Sequence, residues 1–118
     1  MCGIAGLFLP RGASAVTADL QSMVGAMGHR GPDGTACYVS PDRRFQAAFT
    51  RLAIIDLDTG DQPIVGADDA RVLLGNGEIY NYLELRAHEA ARGYPYRSEG
   101  DMEVVLPLSK ALGDDFVH

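Results

Sequence analysis

Residues 4–9 form a short, mostly apolar run bounded by Gly3 and Pro10, which predicts a buried strand beginning at the N-terminus. Thr17 is placed to cap a helix in which Leu20, Met23, Val24 and Met27 recur at three- and four-residue steps, giving one apolar stripe that ends near Gly28. His29-Arg30-Gly31-Pro32-Asp33-Gly34 carries too many backbone specialists for regular structure and predicts a tight, shaped loop. Residues 35–40 and 45–55 predict strands joined by a turn at residues 41–44, with another strand at residues 71–74. Asn81 with Glu84 three positions on resembles a capping box, and Leu83, Ala87, Ala90 and Ala91 would face inward on a helix stopped by Gly93. A last helix is expected after Asp101, kinked or late in starting, because Pro107 in its interior would cost about 3 kcal/mol. Strands precede and separate helices without regular alternation, so the fold class expected is α+β and layered rather than doubly wound.

At 118 residues the chain fits one domain able to bury a core without disulfides. Its net charge of -6 disfavours nucleic acid as a partner, since phosphate binding needs clustered Lys and Arg. Cys2 and Cys37 have neither CxxC nor zinc-knuckle spacing, and His29, His88 and His118 share no ligand spacing, so no metal site is expected and a reducing cytoplasm fits best. Cys37 reads as a small buried hydrophobe in mid-strand, and His88 as a residue on a solvated helix face. Tyr80, Tyr82, Tyr94 and Tyr96 read as packing residues with wet hydroxyls, and Asp68-Asp69 and Asp114-Asp115 as surface charge. No run approaches a membrane span or a signal peptide, and only Met1 precedes Cys2 to be trimmed.

Removal of Met1 before a small residue would leave Cys2 with a free α-amine. Such an amine has an ordinary pKa of about 7.7 to 8.0 and a thiol one of about 8.5, so a single residue could supply both base and nucleophile for acyl transfer. Taken alone, Cys2 reads more readily as an incidental second residue. Its surroundings change that reading. MCGIAG at residues 1–6, HRGPDG at 29–34, RLAIID at 51–56 and NGEIYNY at 76–82 resemble, in order and spacing, the glutamine amidotransferase domain of asparagine synthetases.

The resemblance covers nearly the whole chain and implies a four-layer αββα N-terminal-nucleophile sandwich, here short of its C-terminal strands, with no synthetase domain in the chain. It implies that Cys2 attacks the glutamine side-chain amide and that the Asn76 side chain and Gly77 N–H form the oxyanion hole, although an Asn-Gly turn ending a strand would read the same way. It assigns Arg51 to the glutamine α-carboxylate and Asp101 to the α-ammonium, residues that otherwise read as a strand-edge cation and a helix N-cap. Leu52, Ala53, Ile54, Ile55 and Glu78 complete the implied glutamine-contacting set, with Leu52, Ile54 and Ile55 also suited to a core. Thr50 before Arg51 and Gly100 before Asp101 depart from the usual pattern, which bears more on asparagine synthesis than on glutamine hydrolysis. No cofactor is expected in this chain, with ATP and magnesium belonging to a synthetase domain or subunit that receives the ammonia. A homo-oligomer is one way to cover strands left without neighbours. The competing readings are another class II amidotransferase and a truncated, non-catalytic fragment that binds glutamine or a partner.

Overall fold

The computed structural model describes residues 1–13, 17–68 and 70–117, and leaves the side chains of residues 17, 18 and 91 undescribed. The expected Thr17 cap and the readings of Asp69 and His118 therefore lie outside the described residues. The chain divides into two compact units, Met1–Ala53 and Ile54–His118.

In the first unit, β1 (Gly3–Phe8), α1 (Thr17–Met27), β2 (Gly34–Val39) and β3 (Phe45–Arg51) make an antiparallel sheet of order β1-β3-β2 with one helix packed on β1 and β3. The register pairs Gly3 with Thr50 and Thr50 with Thr35, so these three share a face. The helix lies on that face, where the Thr50 hydroxyl donates to the Met27 carbonyl at 3.3 Å. Leu20 is buried and Met23, Val24 and Met27 are half-buried, as the stripe predicts. Helix and strand approach closely because position 3 has no side chain: a Cβ there would stand 2.7 Å from Thr50 Oγ1 and 3.0 Å from Met27 Cβ.

Two expectations fail here for one geometrical reason. β1 is an edge strand whose side chains alternate, leaving Ile4 and Phe8 exposed rather than fully buried. Cys37 is likewise exposed: the period of two puts it on the helix-bearing face, but α1 covers β1 and β3 and leaves Thr35, Cys37 and Val39 of β2 uncovered.

The second unit holds a two-stranded antiparallel sheet, β4 (Ile64–Val65) and β5 (Val72–Leu73), then α2 (Tyr82–Ala91), a 3-10 turn at Met102–Val104, and α3 (Val105–Leu112). The α-helix starts late, so Pro107 falls in the first turn of α3, where its missing N–H has no intrahelical partner to lose. Helix α2 exists where expected, but Asn81 makes no side-chain cap bond. Its covered face is Tyr82, Leu85, Arg86 and Glu89, while Leu83, Ala87 and Ala90 are exposed. Charge on the covered face explains the reversal, because the inward stripe keeps helical spacing with two ionic residues in it: Arg86 bonds the Ser98 and Gly100 carbonyls, and Glu89 pairs with the exposed His88 and Arg92. Val104 and Leu106 are the buried apolar residues that follow.

The architecture is a small α+β fold with three- and two-stranded antiparallel sheets and three α-helices among the described residues, consistent with part of an N-terminal-nucleophile sandwich.

Candidate active site

Strand β3 is shorter than the apolar run predicts, ending at Arg51 instead of continuing to residue 55. The two N–H groups that follow leave the ladder for side chains. Leu52 N–H donates to Cys2 Sγ at 3.3 Å while the thiol faces the Leu52 carbonyl at 3.6 Å, and Ala53 N–H donates to Asp33 Oδ2 at 2.8 Å. Cys2 is half-buried. Arg51 is 9 % exposed at the end of the central strand, so it is not the strand-edge surface cation that its type alone suggests.

The loop at residues 29–34 braces this arrangement from three points. Arg30 Nε donates to the Cys2 carbonyl at 3.3 Å, Asp33 N–H to the Arg51 carbonyl at 2.9 Å, and Asp33 holds Ala53 as described. Gly31 is buried, and a Cβ on it would sit 2.4 to 2.6 Å from backbone atoms of Thr50 and Arg51, so only glycine lets the loop lie against β3. A cavity of about 400 Å³ is lined by Met1, His29, Arg30, Pro32 and Leu52.

In the second unit, the segment Asn76-Gly77-Glu78 is anchored at both ends and exposed between them. Before it, the Gln62 side-chain amide accepts from Gly75 N–H at 2.6 Å and donates to the Gly75 carbonyl at 3.1 Å, imitating a strand neighbour. After it, Ile79 N–H donates to Asp101 Oδ2 at 2.7 Å. Neither packing nor backbone demands glycine at position 77: its φ is not positive, and a Cβ would meet nothing within 4 Å. Asp101 is 6 % exposed and makes no helix-cap bond, so the plain N-cap reading fails and its carboxylate is spent on the 76–79 segment instead. Ile54 is 74 % exposed, which removes it from any core, and Ile55 is half-buried.

Asp56 follows, with a left-handed backbone at φ 52°. Partial burial pushes its carboxyl up, but the Thr59 hydroxyl and N–H and the N–H groups of Glu99 and Gly100 outweigh that and hold it below the ordinary aspartate value. Thus Cys2, Arg51, Leu52 and Ala53 are brought together in one unit, and Asn76, Gly77, Glu78 and Asp101 in the other. Sequence reasoning assigned no role to Arg30, Asp33, Asp56, Gln62 or Glu103, all of which hold backbone by side-chain hydrogen bonds that leave no periodic signal. Among the described residues no three His, Cys, Asp or Glu side chains gather as metal ligands, and no helix is long and apolar enough to cross a membrane.

A family model described as "Glutamine amidotransferase domain" matches residues 1–118. The glutamine-hydrolysing asparagine synthetase 1 of Bacillus subtilis (strain 168) is 39% identical over 110 residues, covering 90% of this chain and 17% of the relative. A probable glutamine-hydrolysing asparagine synthetase of Dictyostelium discoideum is 38% identical over 120 residues, covering 100% of this chain and 21% of the relative. Asparagine synthetase B of Escherichia coli (strain K12) is 36% identical over 118 residues, covering 99% and 21%. The chain thus spans about a fifth of the length of these relatives.

Proposed function

The chain belongs to the glutamine amidotransferase domain family and is related to the asparagine synthetases, and from that membership we propose that it hydrolyses glutamine through a Cys2 thioester and passes ammonia to a separate synthetase module. The observation that carries the reading is the Cys2 sulfur set 3.3 Å from the Leu52 N–H. It joins the cysteine to the backbone just after the buried Arg51, which supports reading the two as nucleophile and carboxylate ligand.

Loss of Met1 frees the α-amine, which takes the thiol proton as sulfur attacks the amide carbon. The oxyanion that forms is stabilised by the Asn76 side chain and the Gly77 N–H, which exposure and the absent Cβ leave approachable. Collapse expels the amide nitrogen, which leaves as ammonia with the proton returned by the amine. Water then cleaves the thioester to glutamate, and the thiol is restored. Arg51 holds the α-carboxylate bidentately and Asp101 the α-ammonium, with Leu52, Ala53, Ile54, Ile55 and Glu78 shaping the remainder. The ammonia acceptor is activated with ATP on the synthetase side, and this chain's residues take no part in that step. Two free thiols fit a cytoplasmic setting.

Mass spectrometry of protein quenched during turnover tests the reading. A glutamyl adduct on the peptide beginning at Cys2 is expected, and Cys2→Ser should lower hydrolysis by several orders of magnitude, serine being the far weaker nucleophile. A protein verified to retain Met1 should be inactive, since its only α-amine is displaced by about 3.8 Å. An adduct on Cys37, or full activity with Met1 retained, would sink the mechanism.

A further inference from the structure

Asp101 is the last residue of a loop whose backbone is gripped with unusual completeness. Four consecutive N–H groups are taken by two carboxylates. Glu103 accepts from Arg97 N–H at 3.0 and 3.2 Å and from Ser98 N–H at 2.8 Å, as well as from the Ser98 hydroxyl at 2.6 Å. Asp56 accepts from Glu99 N–H at 2.8 Å and also from Gly100 N–H. The carbonyls are held too: Arg86 donates to Ser98 O at 2.7 Å and to Gly100 O at 3.1 Å, with its guanidinium lying 4.2 Å from the centre of the Tyr96 ring.

A fully buried carboxylate such as Glu103 carries a heavy desolvation cost unless its oxygens are saturated with donors. Spending two carboxylates and a guanidinium on five residues of irregular backbone is more than a surface turn requires. The Asp56 end is reinforced in its own right: Thr59 Oγ1 donates to both Asp56 oxygens, at 2.6 and 2.8 Å, and also lies 3.0 Å from Glu99 N as an acceptor. Asp56 adopts its left-handed φ in making these bonds. What emerges from the clamp is one side chain, Asp101, whose second task of holding Ile79 N–H fixes the exposed 76–78 segment.

We propose that Asp56 and Glu103 are positioning residues for substrate selection, locking the 97–101 loop so that Asp101 discriminates substrates bearing an α-ammonium. This rests on the reading of Asp101 as the ammonium ligand. The action is indirect: neither carboxylate touches substrate, and each works through the backbone that leads to Asp101. The geometry of an ion pair is sensitive to small displacements, so loosening the loop weakens recognition of the ammonium more than it slows attack on the amide.

The test compares hydrolysis of glutamine with that of glutaramate, which has the same carboxylate, chain length and amide but lacks the α-ammonium. It uses the full chain, with any downstream sequence it naturally carries. Asp56→Asn is the informative variant because asparagine tolerates a left-handed backbone, while its amide group cannot accept from both Thr59 and the loop. Thr59→Val removes the reinforcing hydroxyl and leaves Asp56 in place. The parent should prefer glutamine, and Asp101→Asn should abolish that preference. Asp56→Asn should cut the preference about tenfold, the value of roughly one charge-assisted hydrogen bond, through a raised KM for glutamine. Its kcat/KM for glutaramate should fall by clearly less than that for glutamine, the shared part of the loss being what reaches the 76–78 segment through Asp101. Thr59→Val should shift the ratio in the same direction by less, and in an Asp101→Asn background Asp56→Asn should change nothing further. Glu103→Gln, checked for cooperative unfolding, should follow Asp56→Asn. Equal losses on both substrates, or an unchanged ratio in Asp56→Asn and Thr59→Val, would overturn the proposal and make the clamp purely structural. A parent that hydrolyses glutamine but shows no preference removes Asp101 from ammonium binding, and one that hydrolyses neither substrate overturns the functional reading itself.

Discussion

Gly31→Ala and Gly25→Ala are the same chemical change with opposite expected signs. A Cβ at Gly31 would lie 2.4 Å from the Thr50 carbonyl carbon, about 1 Å short of the 3.4 Å at which ordinary contact begins, and the obstructing atoms are backbone of the central strand. The strand cannot yield without breaking its ladders, so the loop must move. Overpacking of this kind costs about 1 to 3 kcal/mol. Each loop hydrogen bond that lengthens adds about 1 kcal/mol, and those from Arg30 to Cys2 O, from Asp33 N–H to Arg51 O, and from Ala53 N–H to Asp33 are all at stake. The expected loss is about 2 to 4 kcal/mol. Displacing Cys2 and Leu52 on that scale should also lower hydrolysis about 10²-fold. Gly25 lies within α1 with nothing within 4 Å of its would-be Cβ, so alanine there should stabilise by about 0.5 to 1 kcal/mol through reduced unfolded-state freedom. Chemical denaturation of both variants beside the parent reads the difference, with steady-state hydrolysis as the second measurement. If Gly31→Ala proved as stable and active as the parent, close approach to β3 would not be what shapes the loop.

Asn76→Ala should reduce kcat about 10²- to 10³-fold because its partner charge exists only in the transition state, whereas Arg51→Lys should chiefly raise KM by weakening the grip on a carboxylate already present in the ground state; an Asn76→Ala protein with unchanged kcat leaves Asn76 as a turn residue. Cys37→Ser, at an exposed position, should change neither stability nor hydrolysis measurably, and a loss of more than tenfold in either would contradict its placement. Partial burial pushes the Tyr96 hydroxyl up to about 12 from 10.0, the Arg86 charge opposing it only in part. The unfolded chain therefore releases that proton first, and this contribution to stability is intact below pH 10 and drains away as pH rises towards 12; burial raises Tyr94 as well, so ultraviolet titration should resolve tyrosine ionisation delayed towards pH 12, and its absence would refute the reasoning.

The family was more legible in the sequence than the packing. In the first unit the motifs at 1–6, 29–34 and 51–56 are the segments that meet at Cys2, where close backbone approach demands glycine, whereas in the second unit the 97–101 loop that carries Asp101 lies in no motif. The apolar stripe of α1 is legible because, among the described residues, its covered face is Leu20, Met23, Val24 and Met27. Helix α2 was misread because Arg86 and Glu89 turn inward, and apolar periodicity selects the face of Leu83 and Ala87. The tail of β3 is not legible because residues 52–55 look like strand while the Leu52 and Ala53 amides bond to side chains distant in sequence. Tyr96 also departs from expectation: its hydroxyl is shielded from solvent without a hydrogen-bond partner among the described residues, where a wet one was expected. Strand β4, two residues long, falls below the length at which alternation can be detected.

The Cys2 sulfur ends β3 by accepting the Leu52 amide, and it is also the atom proposed to become acylated. One set of lone pairs therefore serves both the backbone and the reaction. Forming a thioester draws electron density from the sulfur and weakens it as an acceptor, so the Leu52 amide should be loosened with every acylation and recaptured with every hydrolysis. The strand terminus becomes a gauge of covalent state. Amide exchange at Leu52, slow in the resting protein and faster while the acyl group is attached, would follow turnover from within the backbone, without any label on the substrate.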